Sequence, residues 1–304
     1  MSRLIKLLSK KKISSGSKPE LSDGPEAQAE RLGLFLLKDN TAAINNIDIV
    51  AVHGLGGHYL DTWTGDNKNL WLRDSVPSKL NDSGLNSRVF SYGYDSSTAF
   101  SKAVTDITDE AAMLLDRIKG ERKSQLERHR PIILIAHSLG GILVKKAMII
   151  AHERSSEYGE LLGSIKAAMF LGTPHRGSDA AYWATYAANV LKVLQLGRGT
   201  NASFVSALQR NSPEFANISQ QWIERAAPLK IRTFYETERL LGELIVDKDS
   251  ARLGIVNEIA IGVAGANHRS ICKFSDFNSQ KYKIVWNATE ELAQYALRPS
   301  STCE

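Results

Sequence analysis

The sequence predicts an α/β protein in which helices cover both faces of a mostly parallel central sheet. Apolar runs of strand length alternate with longer segments of helical periodicity, which is the pattern of strands separated by helices. Two of these runs end in glycine-rich turns, as strands do where the chain reverses into a helix or a loop. With 43% hydrophobic residues among 304, the chain can bury the core that such a sheet needs.

Seven apolar runs carry the predicted strands. In chain order they are residues 33–37, 47–52, 88–94, 131–136, 165–171, 230–235 and 258–263. The first run favours an edge strand and the second a central one. Between the third and the fourth, apolar residues recur with a period of about 3.6, which predicts an amphipathic helix. These residues are Val104, Ile107, Ala111, Leu114, Leu115 and Ile118. A further helix over about residues 282–296 closes the domain.

Basic residues concentrate at the amino end of the chain. The first 19 residues carry six Lys or Arg and no acidic residue, whereas the net charge of the whole chain is +5. The remainder is near neutral and carries no basic stripe with interleaved aromatic residues, which argues against nucleic-acid binding. We expect residues 1–26 to form a basic, disordered tail. Leu4, Leu7 and Leu8 lie at helical spacing, so a targeting segment or a peripheral membrane anchor within residues 1–19 stays open beside a solvated tail.

Several classes of protein are disfavoured by what the sequence lacks. Cys272 and Cys303 are its only cysteines, so it predicts neither a disulfide framework nor a metal-ligand cluster. No apolar stretch is long enough to cross a bilayer. No nucleotide or flavin signature is found, so we expect chemistry without a cofactor. No signal peptide is recognisable, and we expect an intracellular, cytoplasmic protein, with mitochondrial or membrane-associated locations as alternatives.

The most informative segment of the chain surrounds Ser138. It predicts a buried strand over residues 131–136, a sharp turn that carries the serine, and then an amphipathic helix. This is the pattern of a nucleophile elbow, which lifts a serine oxygen above the edge of a parallel sheet. Its turn needs small residues two positions before and after the serine, and Ala136 and Gly140 meet that need. Gly141 lets the helix pack close to the strand. A tight turn that merely contains a serine is the alternative.

A second turn, with the sequence His-Gly-Leu-Gly-Gly at 53–57, follows the predicted strand at 47–52. Its glycines let the backbone fold over the sheet edge and direct N–H groups at a bound carbonyl. The N–H groups of Leu55 and Leu139 are therefore predicted to form an oxyanion hole. The run lacks the spacing of phosphate-binding loops, which disfavours nucleotide binding. We interpret His53 as a residue that orients the loop rather than as a base.

Over about residues 31–298 the chain resembles the α/β-hydrolase fold. Four runs, at 53–57, 136–141, 170–178 and 249–254, are similar to one group of intracellular serine esterases. The group includes relatives of the serine-active-site protein of phosphatidylglycerol remodelling and lipase-like domains of fungal NACHT receptors. Glycosylphosphatidylinositol inositol-deacylases are more distant. The resemblance implies an α/β-hydrolase fold and a catalytic serine supported by a histidine and an acid.

The base that would activate Ser138 is predicted to be His268. In this fold the chain order is nucleophile, acid, histidine, and His268 follows the last predicted strand. His137 is next to the serine, but neighbouring side chains on a tight turn point apart. His175 is interpreted as ordering its own loop. The remaining histidines lie in helical or polar settings, at His58, His129 and His152.

Four carboxylates compete for the acid position. Glu236 follows the predicted strand at 230–235, where this fold places its carboxylate, and it is preferred. In similar bacterial lipases the acid is followed by a pair of apolar residues and then by the start of a helix. Ile245 and Val246 match that pair, so Asp249 is interpreted as a residue that starts and caps the helix. The alternatives are Asp249, Asp247 and Glu238. Either residue type would hold the imidazole and stabilise the imidazolium.

The segment at 178–228 is expected to shape the substrate site. Trp183, Tyr186 and Leu191 belong to an apolar helical pattern in which Lys192 is the one charged residue, and they are predicted to bind substrate. A helical insertion here can form a cap over the nucleophile, and an apolar cap suits an acyl chain. An ordinary helix buried against the sheet is the alternative.

These features predict a serine hydrolase that cleaves, or transfers, a carboxylic ester through an acyl-enzyme on Ser138. The expected substrate is a lipid or another apolar acyl ester, and no metal, cofactor or nucleic acid is expected to take part. Two other classes stay open: a non-catalytic signalling or interaction module on a hydrolase fold, and a thioesterase or acyltransferase of a biosynthetic pathway. The sequence does not indicate an oligomeric state.

Overall fold

Seven strands form one sheet in the spatial order β1-β3-β2-β4-β5-β6-β7. The computed structural model describes residues 31–101, 104–175, 180–194 and 202–298. Its strands are β1 (Gly33–Asp39), β2 (Asn46–Val52), β3 (Asn86–Gly93), β4 (Ile132–His137), β5 (Ile165–Leu171), β6 (Lys230–Glu236) and β7 (Glu258–Val263). Strand β1 pairs antiparallel to β3 at one edge, and all other neighbours pair in parallel. The predicted α/β architecture is confirmed, whereas the predicted tail at 1–26 lies outside the described residues.

Helices fill the connections between the strands. They are α1 (Trp71–Asp74), α2 (Val76–Asp82), α3 (Ser96–Ser101), α4 (Val104–Gly120), α5 (Gln125–Arg128), α6 (Gly140–Glu153), α7 (Ser155–Ser164), α8 (Ala180–Leu194), α9 (Ala202–Arg210), α10 (Ser212–Arg225), α11 (Lys248–Ala251) and α12 (Gln280–Ala296). Helices α4, α6, α8 and α12 occupy stretches where helices were predicted. Among the described helices, none combines the length and the apolar character that crossing a membrane requires.

The central strands are apolar throughout because helices cover both of their faces. In β4, Ile133 and Ile135 belong to one apolar core, while Leu134 and Ala136 belong to the other. Helices α1, α2 and α12 close the first core, and α4, α6 and α10 close the second. A strand covered on both sides reads as a continuous apolar run rather than as an alternating one.

The carboxyl ends of the parallel strands meet at one edge of the sheet. Strand β2 leads into residues 53–57, and β4 leads into Ser138. Strand β6 ends at Glu236, and the loop after β7 carries His268. Open parallel sheets bind ligands at this edge, so the topology alone gathers the predicted site residues.

A buried ion cluster joins the strands on the opposite side. The carboxylate of Asp48, at the start of β2, accepts hydrogen bonds from Arg88 on β3 at 2.9 and 3.0 Å. It also accepts from Arg122 at 2.6 Å and from Arg130 at 3.0 Å. Glu127 gives Arg88 a second carboxylate partner at 2.9 Å. Since each buried charge has a partner, the cluster avoids the large cost of an unpaired ion.

Lys145 is a different kind of buried charge. It lies on α6 with none of its surface exposed, and its Nζ donates a hydrogen bond to Ser219 Oγ on α10 at 3.2 Å. Burial lowers the pKa of Lys145 to about 7, because the ammonium loses its hydration, and attraction to Glu258 offsets only part of that loss. Helix α6 therefore carries a lysine whose charged form destabilises the fold.

Replacing this lysine by an apolar side chain of similar length should stabilise the protein below neutral pH. The pKa of Lys145 is about 7 in the folded chain against an ordinary value of 10.5, so the unfolded chain binds more protons between these values. Stability of the wild type should therefore rise with pH across that window. We expect Lys145→Met to add on the order of 1–4 kcal/mol at pH 6 and much less at pH 10, by urea unfolding.

Lys146→Met is the matched control, because Lys146 keeps a carboxylate partner, Glu214, at 3.0 Å. Stability differences with the same pH dependence in both variants would contradict this account of Lys145.

Candidate active site

Ser138 lies at a sharp turn between β4 and α6. Its φ is +55°, in the left-handed region that residues with a side chain rarely adopt. Bonds to the end of the neighbouring strand hold it there. The Ser138 N–H donates to the Leu171 carbonyl at 3.0 Å, and the Ser138 carbonyl accepts from Thr173 Oγ1 at 3.0 Å. The strained turn is therefore fixed by β5 as well as by its own strand.

Three glycines allow the chain to close around this turn. A Cβ on Gly140 would lie 2.2 Å from the His53 carbonyl oxygen, and one on Gly54 would lie 2.5 Å from Ser138 Cβ. A Cβ on Gly141 would lie 2.3 Å from Thr173 Cγ2. Real Cβ atoms do not approach other atoms so closely, so these glycines let the loop after β2 lie directly against the elbow and let the Thr173 side chain, after β5, lie against Gly141.

The structure brings Ser138, His268 and Glu236 together. His268 Nε2 lies 3.0 Å from Ser138 Oγ, and His268 Nδ1 lies 3.2 Å from Glu236 Oε1. All three residues are buried. The Val246 N–H donates to the same carboxylate oxygen at 2.6 Å, which fixes the carboxylate at the end of β6. Val246 belongs to the apolar pair at 245–246 that favoured Glu236 in the sequence, and in the structure it contacts Glu236 directly.

These contacts define where the protons lie. A carboxylate only accepts, so the His268 nitrogen that faces Glu236, Nδ1, carries the hydrogen. The other nitrogen, Nε2, is then a bare acceptor, and the Ser138 hydroxyl donates to it. This is the arrangement in which a histidine can remove the serine proton.

The other three acid candidates lie at the surface and contact other groups. Glu238 is exposed, and its N–H donates to the Ala266 carbonyl at 2.9 Å. Asp247 accepts from the Ser250 N–H at 2.7 Å and is the N-cap of α11. Asp249, which was expected to cap this helix, is an exposed residue of its first turn instead. That expectation is wrong by two residues, because both aspartates suit a helix start and only the backbone conformation separates them.

The loop after β2 approaches the serine from the other side. The His53 ring is buried, and its Nδ1 donates to the Gly54 carbonyl at 2.9 Å, while the Tyr94 hydroxyl donates to the His53 carbonyl at 2.9 Å. Burial lowers the pKa of His53 to about 4, so the ring is neutral at pH 7. Within the described part of the chain, the N–H groups of Leu55 and Leu139 have no hydrogen-bond partner. Both donors are therefore available to an oxygen at the nucleophile.

His137 has a contact that the sequence did not reveal. Its Nε2 donates to the main-chain carbonyl of His268 at 2.9 Å, and the two rings lie 5.1 Å apart. Desolvation lowers the pKa of His137 to about 3, with a smaller contribution from His268, so the ring is neutral at pH 7. The residue before the serine thus holds the loop that carries the base. No local signal indicates this, because the two residues are 131 positions apart.

A cavity of about 260 Å³ opens at Ser138 and His268. Leu55, Val190 and Val193 supply apolar wall. Polar and charged side chains also line it, at His58, Asp61, Thr62, Arg269 and Lys273. The cavity is therefore apolar against helix α8 and polar towards the segments at 58–62 and 269–273.

Of the residues predicted to bind substrate on this helix, Tyr186 reaches the site and Trp183 does not. Trp183 packs in the core, with its ring 5.0 Å from Phe215, and Tyr186 contacts Ser138. Val190 and Val193 line the cavity instead. Leu191 lies on the same helix, but its side chain is outside the described residues.

Known proteins resemble this chain over most of its length. A family model described as "Putative serine esterase (DUF676)" matches residues 48–223, more than half of the chain. The curated Protein SERAC1 of Danio rerio is 28% identical over 272 residues, which cover 82% of this chain and 39% of that protein. SERAC1 of Homo sapiens is 25% identical over 254 residues, which cover 74% and 36%. The chain thus spans about two fifths of the length of these relatives.

Solved structures show the same fold. The mature lipase BlEst2 of Bacillus licheniformis superposes with a TM-score of 0.55 at 19% identity, covering 86% of this chain and 97% of that one. A structure from a study of carboxylesterases of Nitrososphaera gargenis gives a TM-score of 0.50 at 14% identity, covering 86% and 95%. The predicted α/β-hydrolase fold is confirmed.

Adding a side chain at Gly140, beside the turn at Ser138, should destabilise the protein. The Cβ of Gly140→Ala would meet two backbone oxygens, those of His53 and Val52, which cannot move as a flexible side chain can. We expect a loss of about 1–3 kcal/mol in the free energy of unfolding, as for other overpacked sites.

Gly159→Ala is the matched control. Gly159 also lies in a helix, α7, but a Cβ there has open space around it. Alanine is the better helix former by about 1 kcal/mol, so this variant should be as stable as the wild type or more so. Equal stability of the two variants in denaturant unfolding would refute the close packing at Gly140.

Proposed function

The chain belongs to the serine esterase family that its residues 48–223 match, and on that premise we propose that it hydrolyses carboxylic esters through an acyl-enzyme on Ser138. The observation that carries the proposal is the line of contacts from Ser138 Oγ through His268 to Glu236, at 3.0 and 3.2 Å. A serine hydroxyl is a weak nucleophile unless such a base adjoins it.

In acylation, Ser138 Oγ attacks the ester carbonyl carbon while its proton passes to His268 Nε2. The carbonyl electron pair moves onto the oxygen, where the N–H groups of Leu55 and Leu139 would stabilise the charge. Collapse of this intermediate expels the alcohol, which takes the proton from His268. Glu236 holds the ring and stabilises its charged form throughout.

In deacylation, water takes the place of the alcohol. His268 removes a proton from the water, which attacks the acyl carbon, and the C–Oγ bond then breaks. Oγ recovers the proton from His268, and the carboxylic acid leaves. The proposed cycle needs no cofactor, because His268 returns every proton that it removes.

The shape of the cavity supports an ester with an apolar acyl group of modest size. Its volume of about 260 Å³ falls below that of pockets which enclose drug-sized ligands, roughly 300–1,000 Å³. Val190 and Val193 offer apolar contact to the acyl group, and the polar side of the cavity suits the alcohol. A lipid ester would then place its reacting end here and the rest of its length outside.

Covalent labelling tests the nucleophile. We expect a fluorophosphonate probe to label the wild type stoichiometrically and Ser138→Ala not at all, because the probe needs an activated oxygen. Glu236→Gln should lower kcat on an activated ester by about 10³–10⁴-fold, as loss of the triad acid does elsewhere. Asp249→Asn, a change of the same kind at the surface, should leave kcat close to the wild type.

Two results would count against these assignments. Absence of labelling in folded wild-type protein would exclude a serine hydrolase. A greater loss of kcat in Asp249→Asn than in Glu236→Gln would assign the role of the triad acid to Asp249.

The acyl site can be tested by filling it. Val193→Trp places a larger side chain in the apolar wall, so kcat/KM for p-nitrophenyl octanoate should fall by about tenfold or more while that for the acetate changes little. Val256→Trp, at a fully exposed position, is the control. A uniform loss on both esters in Val193→Trp would show that the acyl group lies elsewhere.

A further inference from the structure

The nucleophile has a hydrogen-bond partner that the triad does not require. The Tyr186 hydroxyl oxygen lies 2.7 Å from Ser138 Oγ. Tyr186 belongs to α8, and only 3% of its surface and 2% of that of Ser138 are exposed. The contact has the ordinary length of an O–H···O hydrogen bond. Because both residues are buried, water does not compete for it.

The direction of this bond follows from the neighbouring groups. Glu236 faces His268 Nδ1, so Nδ1 carries the hydrogen and Nε2 accepts. Ser138 has one hydroxyl proton and donates it to Nε2. Tyr186 must then be the donor in its bond to Oγ. Burial raises the pKa of Tyr186, so the phenol keeps the proton that it donates.

The Tyr186 ring is held in place on several sides. It meets the His268 ring edge to face with centroids 6.3 Å apart, and Trp183 packs against it at 5.8 Å. Tyr182, one turn earlier on the helix, stacks on it at 6.5 Å. The hydroxyl is therefore positioned before substrate binds, which is the condition for an electrostatic contribution to catalysis.

Substrate can reach Ser138 with Tyr186 in this position. The cavity at the serine is walled by Val190 and Val193, one and two turns further along α8. The carbonyl oxygen of the substrate would meet the N–H groups of Leu55 and Leu139. Tyr186 instead contacts Oγ itself, so it serves a different atom from the oxyanion hole.

We propose that Tyr186 is a catalytic residue that donates a hydrogen bond to Ser138 Oγ throughout the acyl-enzyme cycle. The inference rests on the proposed function. During attack, Oγ loses its proton to His268 Nε2 and forms the bond to the acyl carbon, and the carbonyl pair moves onto the carbonyl oxygen. In deacylation the C–Oγ bond breaks and Oγ regains a proton from His268.

Tyr186 keeps its own proton in both steps. Its hydrogen bond fixes the orientation of Oγ. It also stabilises the partial negative charge on Oγ in the transition states, where neither the O–H bond nor the C–Oγ bond is complete. Both acylation and deacylation pass through that condition, so loss of the hydroxyl should slow both.

Tyr186→Phe removes this one oxygen and retains the ring. We expect kcat on p-nitrophenyl butyrate to fall about 10- to 100-fold with KM little changed, the effect of losing one hydrogen bond to a charged group. The second-order rate of fluorophosphonate labelling should fall by a similar factor. Tyr182→Phe, which removes a hydroxyl one turn away, is the matched control and should change neither rate. Thermal unfolding of both variants verifies that the fold is intact.

The outcomes separate this inference from the proposed function. Rapid labelling of the wild type together with unchanged kcat and labelling rate in Tyr186→Phe would overturn the role of Tyr186 alone. Equal losses in Tyr182→Phe and Tyr186→Phe would also overturn it, by showing a packing effect. Absence of labelling in the wild type would overturn the proposed function, and the role of Tyr186 with it.

Discussion

The site depends on a steric constraint, the close contact of three chain segments at Ser138. A left-handed serine costs about 1–3 kcal/mol, and it persists because Leu171 at the end of β5 accepts from its N–H and Thr173, two residues further on, donates to its carbonyl. Gly140 and Gly54 remove the side chains that would keep the loop after β2 away from the turn. The same approach brings the loop that carries Leu55 against the turn at Ser138. One constraint therefore fixes both the position of Ser138 and the approach of the loop after β2.

Much of this could be predicted from the sequence because the signals are local. Buried parallel strands require continuous apolar runs, and the elbow requires small residues at fixed distances from Ser138. Glu236 could be chosen because it follows a strand directly, at the edge where the topology gathers side chains. The choice between Asp247 and Asp249 as the cap of α11 could not be made, since both residues suit a helix start and helix ends are uncertain by one or two residues.

The contacts of His137 and Tyr186 could not be predicted, because they arise from tertiary packing. His137 meets His268 across 131 positions, and Tyr186 meets Ser138 across 48. In the sequence, Tyr186 is one of several aromatic residues on an apolar helix, and nothing distinguishes it from Trp183, which fills the core. Aromatic residues with a polar end are ambiguous in this way, since the same pattern suits a packed helix and a helix that presents one hydroxyl to a site.

The family match ends at residue 223, before both Glu236 and His268. The turn at Ser138 and the loop at 53–57 must satisfy many close contacts at once, so their sequences are restricted over several positions. An acid or a base has only to deliver one side chain to the sheet edge, and loops of different length and composition can do that. The serine turn is therefore recognised by a local motif, whereas Glu236 and His268 are predicted from their places after strands and their contacts are seen only in the structure. In the proposed mechanism Glu236, His268 and Tyr186 each act through one contact with a neighbouring atom. Conservative variants that remove that contact therefore decide their roles.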